Sequence, residues 1–164
     1  MQLPRFLLVI FSGRGIAMAM SYVWVILLFV SVVFGALTGS AGAVLEIRDG
    51  DLMRYWSASG IAQSQIGMTL PVEGSLSGRC ITEARVLRCD DSEDDPRVNR
   101  DACRSVGLRS MLVAPLRFRG QVVGVLKVLA ATPNAYDETD CKTLEHLSTL
   151  VAASMYKAIE HAQM

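Results

Sequence analysis

The stretch from Arg109 to Ala130, RSMLVAPLRFRGQVVGVLKVLA, constrains the fold of this chain more than any other. Two apolar runs flank Phe118-Arg119-Gly120-Gln121, and Gly120 supplies the positive φ that a tight loop needs. The spacing predicts a β-hairpin. With Arg119-Gly120 as its loop, Leu116 faces Val123, Ala114 faces Val125 and Leu112 faces Lys127. The other face then carries Met111, Val113, Pro115, Val122, Gly124, Leu126 and Val128. Lys127 apart, both faces are apolar, whereas an antiparallel hairpin with one wet face alternates with polar residues. The hairpin must therefore be covered on both sides, and its sheet is the middle layer of the domain.

The 164 residues suit one domain with an appended segment. A formal net charge of zero leaves no electrostatic footprint for nucleic acid. The cysteines, Cys80, Cys89, Cys103 and Cys141, show no C-x-x-C spacing and no neighbouring histidine, so no metal site is expected and reduced thiols are. The apolar excess sits near the N-terminus. Residues 16–37 carry no charge and are long enough to cross a bilayer as a helix, with Tyr22 and Trp24 as interface residues. The alternatives are a secretory signal cut near Ala41-Gly42-Ala43 and an abnormal start.

Past that segment the chain reads as short elements. Ala43–Ile47 and Leu52–Ser57 form strands around the Asp49-Gly50-Asp51 turn. Residues 61–67 form a loop or a single helical turn, and Leu70-Pro71-Val72 is extended. Gly74–Ala84 is a short helix that Ser75 or Ser77 can cap. Its N-terminus suits an anion or a polar ligand group, and a plain cap is the alternative. Val86–Cys89 is a strand. The acidic run DDSEDDP lacks the glycine and closing glutamate of a calcium loop and reads as solvated. Arg97–Val106 is helical with a charged outer face.

A long helix starts at Asp137, with Asp140 in its first turn. Leu144, Leu147, Val151, Met155 and Ala158 fall on one face and cover one side of the sheet. Leu150 and Ile159 lie off that stripe, which suits pairing of the helix with a second subunit. Lys127, alone in an apolar strand, must have its charge answered or reach water. Asp140, on the helix that packs back on this sheet, is the partner the sequence suggests for a structural ion pair.

The order and spacing of several blocks resemble a GAF domain. They are Gly42-Ala43-Val44, Ser59-Gly60, Leu70-Pro71, Gly74-Ser75-Leu76-Ser77-Gly78, Arg88-Cys89-Asp90-Asp91, Arg109 to Leu116 and Gly120 to Leu126. The last two are the most diagnostic. The resemblance implies an α+β, GAF/PAS-like fold: a central antiparallel β-sheet with helices on one face and a pocket lid of loops and short helices on the other. The domain would occupy residues 38–164, after a hydrophobic segment at 1–37, and residues 61–107 would form the lid. GAF domains usually begin with an amphipathic helix ending in a pattern like Ala36-Leu37-Thr38-Gly39; residues 23–34 are instead apolar all round. A membrane-associated protein with a cytoplasmic GAF domain is expected, or a cytoplasmic one if the start is abnormal.

The resemblance further implies a non-enzymatic sensor that binds a small ligand, without cofactor or metal, and signals through its C-terminal helix. A homodimer through that helix and a histidine kinase or cyclic-di-GMP enzyme as output module are the implied partners. Ser75 and Ser77 at the helix N-terminus, and Arg109 and Ser110 at the hairpin's mouth, are the candidate ligand-binding residues. No Cys-His pair exists for a covalent bilin. Lys127, Tyr136 and Asp140 keep half of the motif of the cyclic-nucleotide-binding subtype, but Leu126 and Cys141 replace its Asn and Glu. The alternative is a redox enzyme of the free methionine sulfoxide reductase type. Gly67 and Ser77 stand where that subtype has two of its cysteines, and its third falls close to Cys103.

Overall fold

A computed structural model describes residues 40–162, with side-chain environments as far as 157. The segment 1–37, including the span 16–37, lies outside the described residues. Among those described, no helix is long and apolar enough to cross a membrane. The strands are β1 (Gly42–Asp49), β2 (Leu52–Gly60), β3 (Thr69–Pro71), β4 (Leu87–Cys89), β5 (Ser110–Phe118) and β6 (Gln121–Ala130). The α-helices are α1 (Leu76–Glu83), α2 (Arg100–Ser105) and α3 (Glu138–Ala162), and a 3-10 turn spans Gln63–Gln65. One antiparallel sheet has the order β3-β2-β1-β6-β5-β4.

The β5–β6 hairpin turns at Arg119 and Gly120, whose φ values of 47° and 78° are both positive, as a two-residue loop matched to strand twist requires. Its register departs from the simple pairing. Arg117 pairs with Val122, but Leu116 pairs with Gly124, so Val123 is an extra residue. Beyond this bulge Ala114 faces Leu126, Val113 faces Lys127 and Leu112 faces Val128. One inserted residue transfers every later side chain of β6 to the opposite face. Leu126 and Val128 thus join Leu112, Ala114 and Leu116 under α3, while Val125, Lys127 and Leu129 turn to the other side.

Two cores flank the sheet. On one side Leu45, Leu112, Leu116 and Leu126 pack with Leu144, Val151 and Met155 of α3. Leu147 packs there half-buried, and Leu150 lies off the stripe, 63% exposed. On the other side Val44, Met53, Val113, Val125 and Leu129 meet Leu76 and Ile81 of the lid and Leu108 just after it. Pro115 is tolerated inside β5 because β4 pairs only with Met111–Val113; beyond them that edge of β5 needs no N–H donor.

The lid is fixed by caps and arginines. Ser75 Oγ accepts from Gly78 N at 3.0 Å and starts α1. At its other end Ala84 is left-handed (φ 52°), and the Arg117 guanidinium donates to its carbonyl. α2 is shorter than the predicted 97–106, because Asn99 Oδ1 accepts from Ala102 N at 3.0 Å and sets the start after itself. Arg97 is thereby freed from the helix; it binds Asp95 and donates to the Arg88 carbonyl.

Candidate functional site: a cavity between sheet and lid

A cavity of 240 Å³ lies between the sheet and the lid. Tyr55, Met111, Lys127 and Leu129 of the sheet form its floor. Met68 and Leu70, the start of α1, and Val98 with α2 form its walls. Most of the lining is apolar, with a few convergent polar groups, the usual make-up of a small-molecule site.

A buried ion pair underlies the floor, and Lys127 but not Glu46 reaches the cavity lining. Glu46 is 0% exposed and Lys127 5% exposed. Lys127 Nζ donates to Glu46 Oε1, and to the Tyr55 hydroxyl at 2.8 Å. Ser77 Oγ donates to the same Glu46 oxygen at 3.1 Å. Oε2 of Glu46 is buried and makes no hydrogen bond. Burial pulls the Lys127 pKa down, but the Glu46 charge and the Tyr55 oxygen more than reverse this, and the ammonium titrates above its ordinary range. Burial also raises Tyr55, against the lowering effect of Lys127.

The predicted pair of Lys127 with Asp140 is not formed. The bulge at Val123 turns Lys127 to the lid side, away from the helix that carries Asp140. Asp140 Oδ2 instead accepts from Asp137 N at 2.8 Å, while Asp137 Oδ1 accepts from Thr139 N and Asp140 N, a reciprocal cap on α3. Glu46 sits beside Lys127 because the β1–β6 register sets it opposite Val125, two residues from Lys127 on the same face; next to that pairing the two strands approach closely. A Cβ added to Gly124 would lie 2.2 Å from the Glu46 carbonyl oxygen.

The four candidate ligand residues separate. Ser75 and Ser77 line the cavity, the first as helix cap and the second bonded to Glu46. Arg109 and Ser110 are not among the lining residues. Arg109 makes a two-pronged bond to Asp91, at 3.0 and 2.7 Å. Ser110 is buried, donates to the Thr132 carbonyl at 2.7 Å and accepts from Ala135 N. Both shape the ends of the lid and of the loop before α3. The acidic run is not simply solvated: Asp91, Glu93 and Asp95 each hold an arginine, from Arg109, Arg104 and Arg97. The hydrogen bonds from those arginines hold the three carboxyls below the usual carboxylate range.

Reading the sequence alone missed Glu46 and Tyr55. The signal was present, since Glu46 interrupts the apolar strand AVLEI as Lys127 interrupts its own. Two lone, opposite charges in buried strands are natural partners. The thiols Cys80, Cys89 and Cys103 are buried and free of disulfides. Burial pushes Cys80 and Cys89 up to about 12 and raises Cys103 as well. Among the described residues no group of His, Cys, Asp or Glu is arranged to hold a metal ion.

An antiparallel sheet with a long helix on one face and a lidded cavity on the other defines a three-layer α+β domain. The chain belongs to the GAF domain family, which matches residues 29–155. The match begins inside the apolar stretch 16–37. The GAF domain of the Acinetobacter phosphoenolpyruvate-protein phosphotransferase superposes with a TM-score of 0.68 at 16% identity, over 93% of this chain and 99% of that one. The blue-light absorbing PixJ GAF domain of Thermosynechococcus elongatus gives 0.69 at 13% identity, over 93% and 94%. The free methionine-R-sulfoxide reductase of Neisseria meningitidis, in complex with its substrate, gives 0.67 at 18% identity, over 96% and 86%. At these identities the likeness is one of fold. No curated protein matches the sequence.

Proposed function

We propose that this chain is a regulatory sensor domain rather than an enzyme, and that its cavity takes a small molecule. The observation that carries this reading is the 240 Å³ cavity with the Lys127–Tyr55 pair on its floor. Apolar walls with a small set of fixed polar groups are what a binding site needs, and nothing in the lining is a primed nucleophile. Relay follows from the sheet. Met111 and Leu129 line the cavity, and their neighbours Leu112 and Val128 pack under α3. A displacement of β5 and β6 by an occupant is therefore felt by α3. That helix is the natural lead to an output module, a histidine kinase or cyclic-di-GMP enzyme, and to a second copy of the chain. Thermal unfolding against a metabolite panel tests the reading: an occupant raises Tm, and a panel in which nothing does so leaves a purely dimerising domain.

A redox enzyme is the reading favoured by the fold match to sulfoxide reductases. It is opposed by the chemistry of the thiols. Cys103 is the cysteine that lines the cavity, and burial raises it above an ordinary thiol, which lowers the thiolate fraction. Cysteine-to-serine variants that abolish turnover of methionine sulfoxide establish the enzyme; absence of turnover in the wild type removes it. For the apolar stretch 16–37, we propose membrane attachment, with the GAF domain on the cytoplasmic side. Carbonate extraction separates this from a cytoplasmic protein: an anchored chain stays in the pellet.

A further inference from the structure

The class of the occupant is written into the hydrogen-bond inventory of the floor, if the cavity is a ligand site as proposed above. Lys127 has three N–H donors, and two are committed to Glu46 and Tyr55. Tyr55 accepts from Lys127, which leaves its own O–H to donate. Ser77 spends its hydrogen on Glu46. Two donors, the third N–H of Lys127 and the hydroxyl of Tyr55, therefore remain on adjacent groups that both line the cavity. A carbonyl oxygen, with two lone pairs, satisfies both.

Charge decides the rest. Glu46 already matches Lys127 one for one, and Glu46 is fully buried. A carboxylate entering the cavity places two buried anions around one ammonium, and an amine adds a second cation beside Lys127; Glu46 Oε2, which makes no hydrogen bond, is not on the cavity lining and does not meet it. Glu73, exposed on the lining, adds negative charge that further opposes anions. The walls of Met68, Leu70, Val98 and Val106 favour apolar surface. The volume, 240 Å³, lies under the range of roughly 300–1,000 Å³ typical of sites for drug-sized ligands.

We infer that the cavity selects a small, uncharged, mostly apolar molecule whose carbonyl oxygen docks between Lys127 Nζ and the Tyr55 hydroxyl. The test uses four ring compounds of similar size against the full chain: cyclohexanone, cyclohexanecarboxylate, cyclohexylammonium and methylcyclohexane. Binding is read by saturation-transfer NMR and by Tm at millimolar ligand. Cyclohexanone is expected to bind best, and Tyr55→Phe is expected to weaken it about tenfold while leaving methylcyclohexane unchanged. Stronger binding of the carboxylate or the ammonium, or equal binding of ketone and hydrocarbon, overturns this inference and leaves the sensor reading standing. Binding of none of the four to the wild type overturns this inference as well, whereas the sensor reading falls only if the metabolite panel also raises no Tm. The wild-type ranking decides the matter even where Tyr55→Phe fails to fold.

Discussion

Glu46 and Lys127 are the two residues on which the interior of this domain turns. A buried pair of this kind adds little net stability over a well-packed apolar pair, but half of it is costly. Lys127→Met alone leaves Glu46 charged and unanswered, and is expected to destabilise the fold by about 3–5 kcal/mol in urea unfolding. The double change Glu46→Met with Lys127→Met is expected to restore most of that loss; a double variant as unstable as the single one contradicts the account. The surface carboxylates give a different signature. Asp91, Glu93 and Asp95 have depressed pKa values in the folded chain, so the stability they contribute is present above their unfolded values and lost as pH falls. Tm is expected to stay flat from neutrality to about pH 5 and to fall as the pH drops below about 4, with Asp95→Asn shallowing that fall. Lys127 is shifted upward, so its contribution is complete below about pH 10 and takes no part in the acid transition.

At the level of elements, the bulge in β6 and the close approach of β1 and β6 do the placing. Gly124 faces Ile47 across the β1–β6 ladder, where a side chain would strike backbone rather than a movable group. Gly124→Ala is expected to cost about 1–3 kcal/mol through enforced strand separation, read by denaturant titration. The same change loosens Glu46 from Lys127, so it should also weaken any occupant of the cavity. α3 carries a second, separable property. Leu150 is 63% exposed on a face that does not meet the sheet. Leu150→Glu is expected to leave the unfolding free energy within about 0.5 kcal/mol and, if the helix pairs with a second copy, to convert dimer to monomer in sedimentation. An unchanged sedimentation profile removes Leu150 from any interface.

For the whole molecule, the sheet is a shared wall. One side of it belongs to the cavity and the other to α3; on the sensor reading proposed above, occupancy and helix packing are coupled through the same two strands. An occupant that binds only the folded chain adds about 2.7 kcal/mol at a hundredfold excess over its Kd. For a domain of this size that is a Tm rise of several degrees, and hydrogen exchange should slow in β5, β6 and the lid together. Slowing confined to the lid would mean that the sheet carries no signal.

Much of this architecture was legible in the residues. A hairpin apolar on both faces demanded a middle layer, and Gly120 with the Leu144–Val151–Met155 stripe located its turn and one of its covers. The caps at Ser75 and Asp137 were legible for the same reason: they depend on neighbours in sequence. What the residues did not disclose was which way Lys127 points. That depends on one extra residue in β6, whose presence is decided by how β6 fits against β1 as well as β5. Pairing across strands far apart in sequence likewise chose Glu46 over Asp140 and tied Arg109 to Asp91 instead of the cavity. Local chemistry is determined by the chain itself, because its partners are a few residues away. The charge partners and the floor of the cavity were decided only in three dimensions, where a one-residue slip exchanges the two faces of the sheet.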